Sequence, residues 1–93
     1  MKCHVYILFS ESHNKYYVGQ TKSINARLES HNNGKKVSYT SKYRPWSMFW
    51  SLEVKDRSTA MKIEKYLKNK RSDFYKRLKC DSKLQDYIIE KYS

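Results

Sequence analysis

A small α/β domain, built on a three-stranded, mostly antiparallel sheet flanked by helices, is the fold this sequence predicts. Three observations predict it. Two short tyrosine-bearing apolar segments, Val5–Phe9 and Tyr16–Val18, lie close enough to pair as a hairpin. A period-two segment follows at Trp46–Val54, and stripes of helical period come after the second and third of these segments. The 93 residues suffice for one domain over 1–93, with a core at about 3–79 and a helical extension at about 80–93.

Val5–Phe9 is apolar at every position, which fits a strand buried on both faces. The polar run Ser10–Asn14 then turns the chain into a second strand, Lys15–Thr21. With Glu11–Asn14 as a four-residue loop, Tyr6 and Tyr17 become diagonal neighbours on one face, which Gly19 shares. Lacking a side chain, Gly19 leaves space for a ligand or another backbone. Ser23 caps a helix to about Asn33, with Gly34 placed to end it. Its stripe of Ile24, Arg27, Leu28 and His31 follows i, i+3, i+4, i+7, so two polar residues occupy an otherwise apolar face.

A connection of about a dozen residues, Gly34–Pro45, is long for a small domain, and such loops tend to be functional. Trp46, Met48, Trp50, Leu52 and Val54 then alternate with mainly polar residues, the pattern of a strand with one buried face. Asp56 or Ser58 caps a helix to about Arg71, in which Ala60, Ile63, Glu64 and Leu67 form the stripe. A last helix over Lys83–Lys91 gathers Leu84, Tyr87 and Ile88, giving the order ββαβαα.

Twenty Lys and Arg against nine Asp and Glu leave a formal charge of +11, which implies a polyanionic partner. Abundant aromatics (15%) with only 2 Gly and 1 Pro argue against disorder. Cys3 and Cys80 are too few and too far apart for a zinc site and fit free thiols in a reducing cytoplasm. No apolar run is long enough for a signal sequence or a membrane span, so a cytoplasmic location and no membrane partner are expected.

Val5-Tyr6 with Tyr17-Val18-Gly19, then Arg27, His31 and Glu64, resembles the GIY-YIG endonuclease superfamily, and most of all its small single-domain, UvrC-like members. The likeness spans roughly Cys3 to Leu78. It takes in Thr21 after Gly19, His31-Asn32-Asn33-Gly34-Lys35 at the end of the first helix, and Arg44-Pro45-Trp46 before the third strand. His4-Val5-Tyr6 stands where the family name has Gly-Ile-Tyr. A late Asn of many larger members has no counterpart in 73–79.

The resemblance implies a GIY-YIG nuclease-like domain that hydrolyses DNA phosphodiester bonds with a divalent metal, Mg²⁺ or also Mn²⁺, in DNA repair. Catalysis would fall to Tyr6, Tyr17, Arg27, His31 and Glu64, with Gly19 and Thr21 as structural motif positions. The chemistry agrees with these residue types. Glu64 supplies the single carboxylate on which magnesium can rest among waters and phosphate oxygens. Arg27 offers a planar fork of donors for the scissile phosphate. The base is either Tyr6, whose phenol has an ordinary pKa of ~10, or His31 one turn from Arg27. The sequence does not separate the two.

Each residue also has an ordinary structural use. Glu64 is spaced to pair with Lys68, Arg27 with Glu29 or Glu53, and His31 stands at a helix end where the dipole favours it. Lys35, Lys36, Tyr39, Lys42, Tyr43 and Arg44 in the long connection, with Lys68, Lys70 and Arg71, form the expected nucleic-acid contact. Larger family members read DNA with attached domains, so duplex or branched DNA is expected to be recognised here by shape. The alternative is a weakly active or inactive nucleic-acid-binding module within a repair or recombination complex, its protein partners unspecified.

Overall fold

The computed structural model describes residues 2–34 and 39–92, with Tyr39 described by its backbone alone; Lys35 and Lys36 lie outside the described residues. Strand β1 (Cys3–Ser10) is central in a sheet of order β2-β1-β3, with β2 at Lys15–Thr21 and β3 at Ser47–Val54, every pairing antiparallel. Ser10 pairs with Lys15 across the expected four-residue loop, where Asn14 takes φ 51°, a left-handed turn conformation that asparagine tolerates.

Side chains of β1 alternate between two apolar layers. Val5 and Ile7 meet Val18 of β2, Trp50 and Val54 of β3, and the helices α2 (Arg57–Lys68), α3 (Ser72–Cys80) and α4 (Ser82–Tyr92). Ala60, Ile63, Leu67, Leu78 and Ile88 are fully buried there, each larger aliphatic adding about 1.5–3 kcal/mol of burial. Tyr6 and Leu8 face the other way, toward Trp46, Tyr17, Met48, Tyr43 and helix α1 (Ile24–Asn33) through Ile24 and Leu28. The uninterrupted apolar run of β1 thus reflects two layers, as its composition predicts.

Two elements differ from the sequence reading. The alternation of β3 does not mark one face, because the pairing slips between Ile7, opposite Trp50, and Leu8, opposite Met48. Phe49 is the extra residue of this bulge. Trp50 and Val54 therefore join the three-helix layer, while Met48 and Trp46 cross to the layer of Tyr6. Helix α3 is the second difference, lengthening the order to ββαβααα. Its cap position, Arg71, makes no side-chain capping bond, so the usual start signal is absent. Packing defines it instead: Tyr75 and Leu78 are buried, and the Tyr75 hydroxyl donates to the Leu67 carbonyl at 2.7 Å, satisfying the end of α2. The second predicted helix accordingly stops at Lys68 rather than near Arg71.

Candidate active site

The site lies on the α1 side of the sheet, at Tyr6. Gly19 is its direct cross-strand partner, and Tyr17 is diagonal, as the hairpin register predicts. The room left by Gly19 admits neither ligand nor foreign backbone: a Cβ there would stand 2.5 Å from Tyr6 Oη and 2.6 Å from Cζ. The glycine exists to let the phenol lie across it.

Helix α1 brings the polar partners. Ser23 caps it through Ala26 N, and Thr21 fixes the approach, its hydroxyl accepting from Ser23 N and donating to Ser23 O at 3.2 Å each. One helical face then carries Arg27 and His31 to the same phenol. Arg27 Nε donates to Tyr6 Oη at 3.3 Å, and Tyr6 Oη lies 2.9 Å from His31 Nε2. His31 Nδ1 lies 3.0 Å from Thr40 Oγ1 in the short 3-10 helix Tyr39–Tyr43. One proton arrangement suits the whole chain: Arg27 gives to the phenol oxygen, the phenol gives to Nε2, and Nδ1–H gives to Thr40. Tyr17 closes the site, its ring edge-on to His31 at 4.9 Å between centroids.

Burial governs the electrostatics. It raises the Tyr6 pKa from 10.0, against the Arg27 hydrogen bond and charge, with the phenol of Tyr17 and the carboxylate of Glu64 adding to the rise. His31 is lowered to about 4 by burial first, then by Arg27 and Arg44. At neutral pH the imidazole is uncharged and free to accept a proton, while the phenol holds its own. The Arg27 guanidinium is held charged, chiefly by its hydrogen bond to Tyr6.

Of the ordinary structural uses, one is present and two are not. Glu64, half-buried on α2, pairs with Lys68 at 3.6 Å. Arg27 bonds Tyr6 rather than Glu29 or Glu53, and the ion-pair partner of Glu53 is Lys2. His31 is neutral and buried, so no dipole attraction holds it. Among the described residues no three His, Cys, Asp or Glu side chains gather around one point. Arg44 turns inward, donating to His31 O at 2.6 Å and Gly34 O at 2.7 Å, and so satisfies the last carbonyls of α1. Tyr43 is half-buried between His13 and Trp46, Lys42 and Arg71 are exposed, and Lys70 sits over the Tyr66 ring at 4.7 Å.

Sequence reasoning missed Thr40, and gave Asn32 and Trp46 no part in the site. Asn32 bonds the Trp46 backbone twice, donating to its carbonyl at 2.9 Å and accepting from its amide at 2.6 Å. The Trp46 indole then donates to Thr40 O at 2.8 Å, which holds Thr40 under His31. Asn32 and Trp46 both fall within segments that carry the family resemblance. Nothing local marks Thr40, because its partner is nine residues away in a connection without periodicity.

The family model described as the GIY-YIG catalytic domain matches residues 2–79. The chain belongs to the GIY-YIG family. It is similar to the UPF0213 protein YazA of Bacillus subtilis, 28% identical over 88 residues that cover 91% of this chain and 89% of that one. A UPF0213 protein of Bacillus cereus is 35% identical over 65 residues, 70% of this chain and 68% of its own. The solution NMR structure of the UPF0213 protein BH0048 from Bacillus halodurans has the same fold, with a TM-score of 0.51 at 26% identity over 84% of this chain and 82% of that one. In this GIY-YIG domain the two halves of the family motif are a single paired unit, since Tyr6 of the first lies opposite Gly19 of the second.

Proposed function

We propose that this protein is a metal-dependent endonuclease that hydrolyses DNA phosphodiester bonds and is directed by DNA structure rather than sequence. The observation that carries this reading is the convergence of Arg27 and His31 on the buried Tyr6 hydroxyl, at 3.3 and 2.9 Å. Phosphodiester hydrolysis needs a proton acceptor for the attacking water and positive charge at the phosphate. Both lie at one phenol oxygen. Tyr6, protonated at neutral pH, takes a proton from water only as it passes its own to His31 Nε2, so the two candidate bases act in series. A phosphate beside Arg27 offsets part of the charge that, after burial, holds the imidazole pKa near 4. The fork of Arg27 suits the developing charge on the phosphate, and its link to Tyr6 fixes the distance between base and phosphorus.

Glu64 fits a divalent cation of the kind that rests on one carboxylate and completes its shell with water and phosphate oxygens. Bound there, Mg²⁺ or Mn²⁺ would supply charge stabilisation at the non-bridging oxygens. Exposed Lys42, Lys68 and Arg71 would position the backbone without reading bases. Recognition then follows shape and flexibility, as at nicks, flaps and junctions.

Labelled linear, nicked, flapped and four-way DNA, incubated with Mg²⁺ or Mn²⁺, tests the reading. The wild type should cut at least one branched form. Glu64→Gln should bind it as well or better, because a negative charge near the phosphates is gone, and should not cut. Cleavage by that variant at the wild-type rate would remove Glu64 from the chemistry. The Glu64–Lys68 ion pair at 3.6 Å favours a second reading, a binding module whose carboxylate is already engaged. A wild type that binds every substrate and cuts none selects it.

A further inference from the structure

A second basic surface lies on the far side of α2 from Glu64. Lys62, Lys65, Tyr66 and Asn69 follow i, i+3, i+4, i+7 and, with Tyr92 near the end of α4, line an open groove of about 290 Å³. At 100° per residue these side chains point about 100–160° away from Glu64 around the helix. The groove is therefore no part of the Tyr6 site.

Its walls combine rings and fixed cations. Tyr66 and Tyr92 pack with centroids 5.4 Å apart. Lys70 lies over Tyr66 at 4.7 Å and Phe74 at 5.3 Å, and Lys91 lies over Tyr66 at 5.2 Å and Tyr92 at 5.5 Å. An ammonium over a ring keeps its place while its N–H groups stay available to an anion. Lys62 and Lys65 are exposed at the rim. The carboxylates of the two helices turn elsewhere: Glu64 as above, and Asp86 and Glu90 at least about 120° from Tyr92 around α4. Two lysines and two tyrosines thus line the groove, two more lysines stand on those rings, and no acidic residue of α2 or α4 lines it.

We infer that this groove binds a single strand of nucleic acid, its phosphates on Lys62, Lys65, Lys70 and Lys91 and an unpaired base against the tyrosine rings. A duplex would leave the rings idle, because its bases present no free faces. A single strand uses both features, since stacking on aromatic side chains tolerates any base and a cationic groove follows the backbone. The binding does not depend on cleavage. If the Tyr6 site acts on branched DNA, the groove takes the unpaired arm on the other side of α2.

Fluorescence anisotropy with labelled oligothymidylate tests the inference. Lys62→Gln with Lys65→Gln should weaken binding roughly tenfold. Lys55→Gln with Lys83→Gln, which lowers net charge equally at exposed positions elsewhere, should change it less than about twofold. Tyr92→Leu keeps an apolar side chain without the ring and should cost about fivefold or more. Thermal unfolding verifies that each variant is folded. Ultraviolet cross-linking of oligothymidylate to wild type should mark the peptides holding Tyr66 and Tyr92. Equal losses in the two double-lysine variants, or cross-links confined to other peptides, would overturn the assignment, as would displacement by polyglutamate at competitor concentrations equal to those of unlabelled oligothymidylate. A protein that cuts nothing yet loses oligothymidylate only through the groove variants would refute the nuclease reading and uphold this one.

Discussion

At the scale of single residues, the proton arrangement around Tyr6 depends on Thr40 as much as on Arg27. Thr40 Oγ1 accepts from His31 Nδ1 at 3.0 Å, which leaves Nε2 bare to receive the phenol proton. Thr40→Val keeps the shape and removes the acceptor, so the imidazole loses its preference for that tautomer. Cleavage should fall about tenfold or more, within the range for a positioned acid–base group, with KM little changed. Thr40→Ser should restore most of it, which a purely structural role would not predict. His31 also ties stability to pH. Its folded pKa of about 4 lies below the unfolded value of 6.5, so the unfolded chain binds more protons between them. Stability is full above about 6.5 and declines as pH falls toward 4, by ~3 kcal/mol from this group alone. Chemical denaturation of wild type and His31→Gln at pH 7 and pH 4.5 measures it. The wild type should lose ~2–3 kcal/mol more than the variant on acidification. Equal losses would mean that the imidazole titrates alike in the folded and unfolded chain.

At the scale of elements, a prediction falls on the hairpin. Gly19 carries no positive φ, so its need is for space alone. Gly19→Ala would drive a methyl into the ring of Tyr6, which is 1% exposed and tied to Arg27 and His31. Overpacking of this kind costs about 1–3 kcal/mol, and here it also shifts the Tyr6 hydroxyl. Thermal unfolding should register the loss, and cleavage should fall far more than Gly19→Ala lowers affinity for DNA. Activity at the wild-type level would show that the phenol need not lie across β2. The hairpin was legible because register and alternation are local: Ser10 against Lys15 fixes every later pair. The stripe of α1 was equally legible, since Arg27 and His31 stand one turn apart whatever surrounds them. The bulge in β3 was not. Phe49 is apolar between two apolar residues, so nothing in the alternation signals that the face changes there, yet this change carries Trp46 and Met48 to the Tyr6 side. Helix α3 stayed hidden because it lacks a cap, and its order comes from Tyr75 and Leu78 packing on elements distant in sequence. Arg44 reads as a phosphate contact in a basic loop, and only the fold shows that its guanidinium closes the end of α1.

At the scale of the whole molecule, the question is how much of the +11 charge one DNA can meet. The described chain is a slab of 36 × 30 × 19 Å, with α1 and the Tyr6 site on one side of the sheet and α2, α3 and α4 on the other. Its basic residues occupy both sides, so a straight duplex against the Tyr6 side meets only part of them. A 36 Å length spans about ten base pairs at 3.4 Å each, and about five phosphates in reach of lysine and arginine is a reasonable share. Each neutralised phosphate releases condensed counterion, so log K for duplex binding should fall against log salt with a slope of about −4 to −5. Fluorescence titrations of a short duplex over a range of salt concentrations, with Glu64→Gln to prevent cleavage, measure it. A slope near zero would remove nucleic acid as the partner altogether. A slope near −10 would require the duplex to engage nearly every excess charge, which this slab permits only if the DNA bends around its edge. Lys62→Gln with Lys65→Gln should leave the duplex slope nearly as it was, because those lysines stand on the side of α2 turned away from Glu64. If the groove takes the single strand, that separation lets one small basic domain hold paired and unpaired DNA at once.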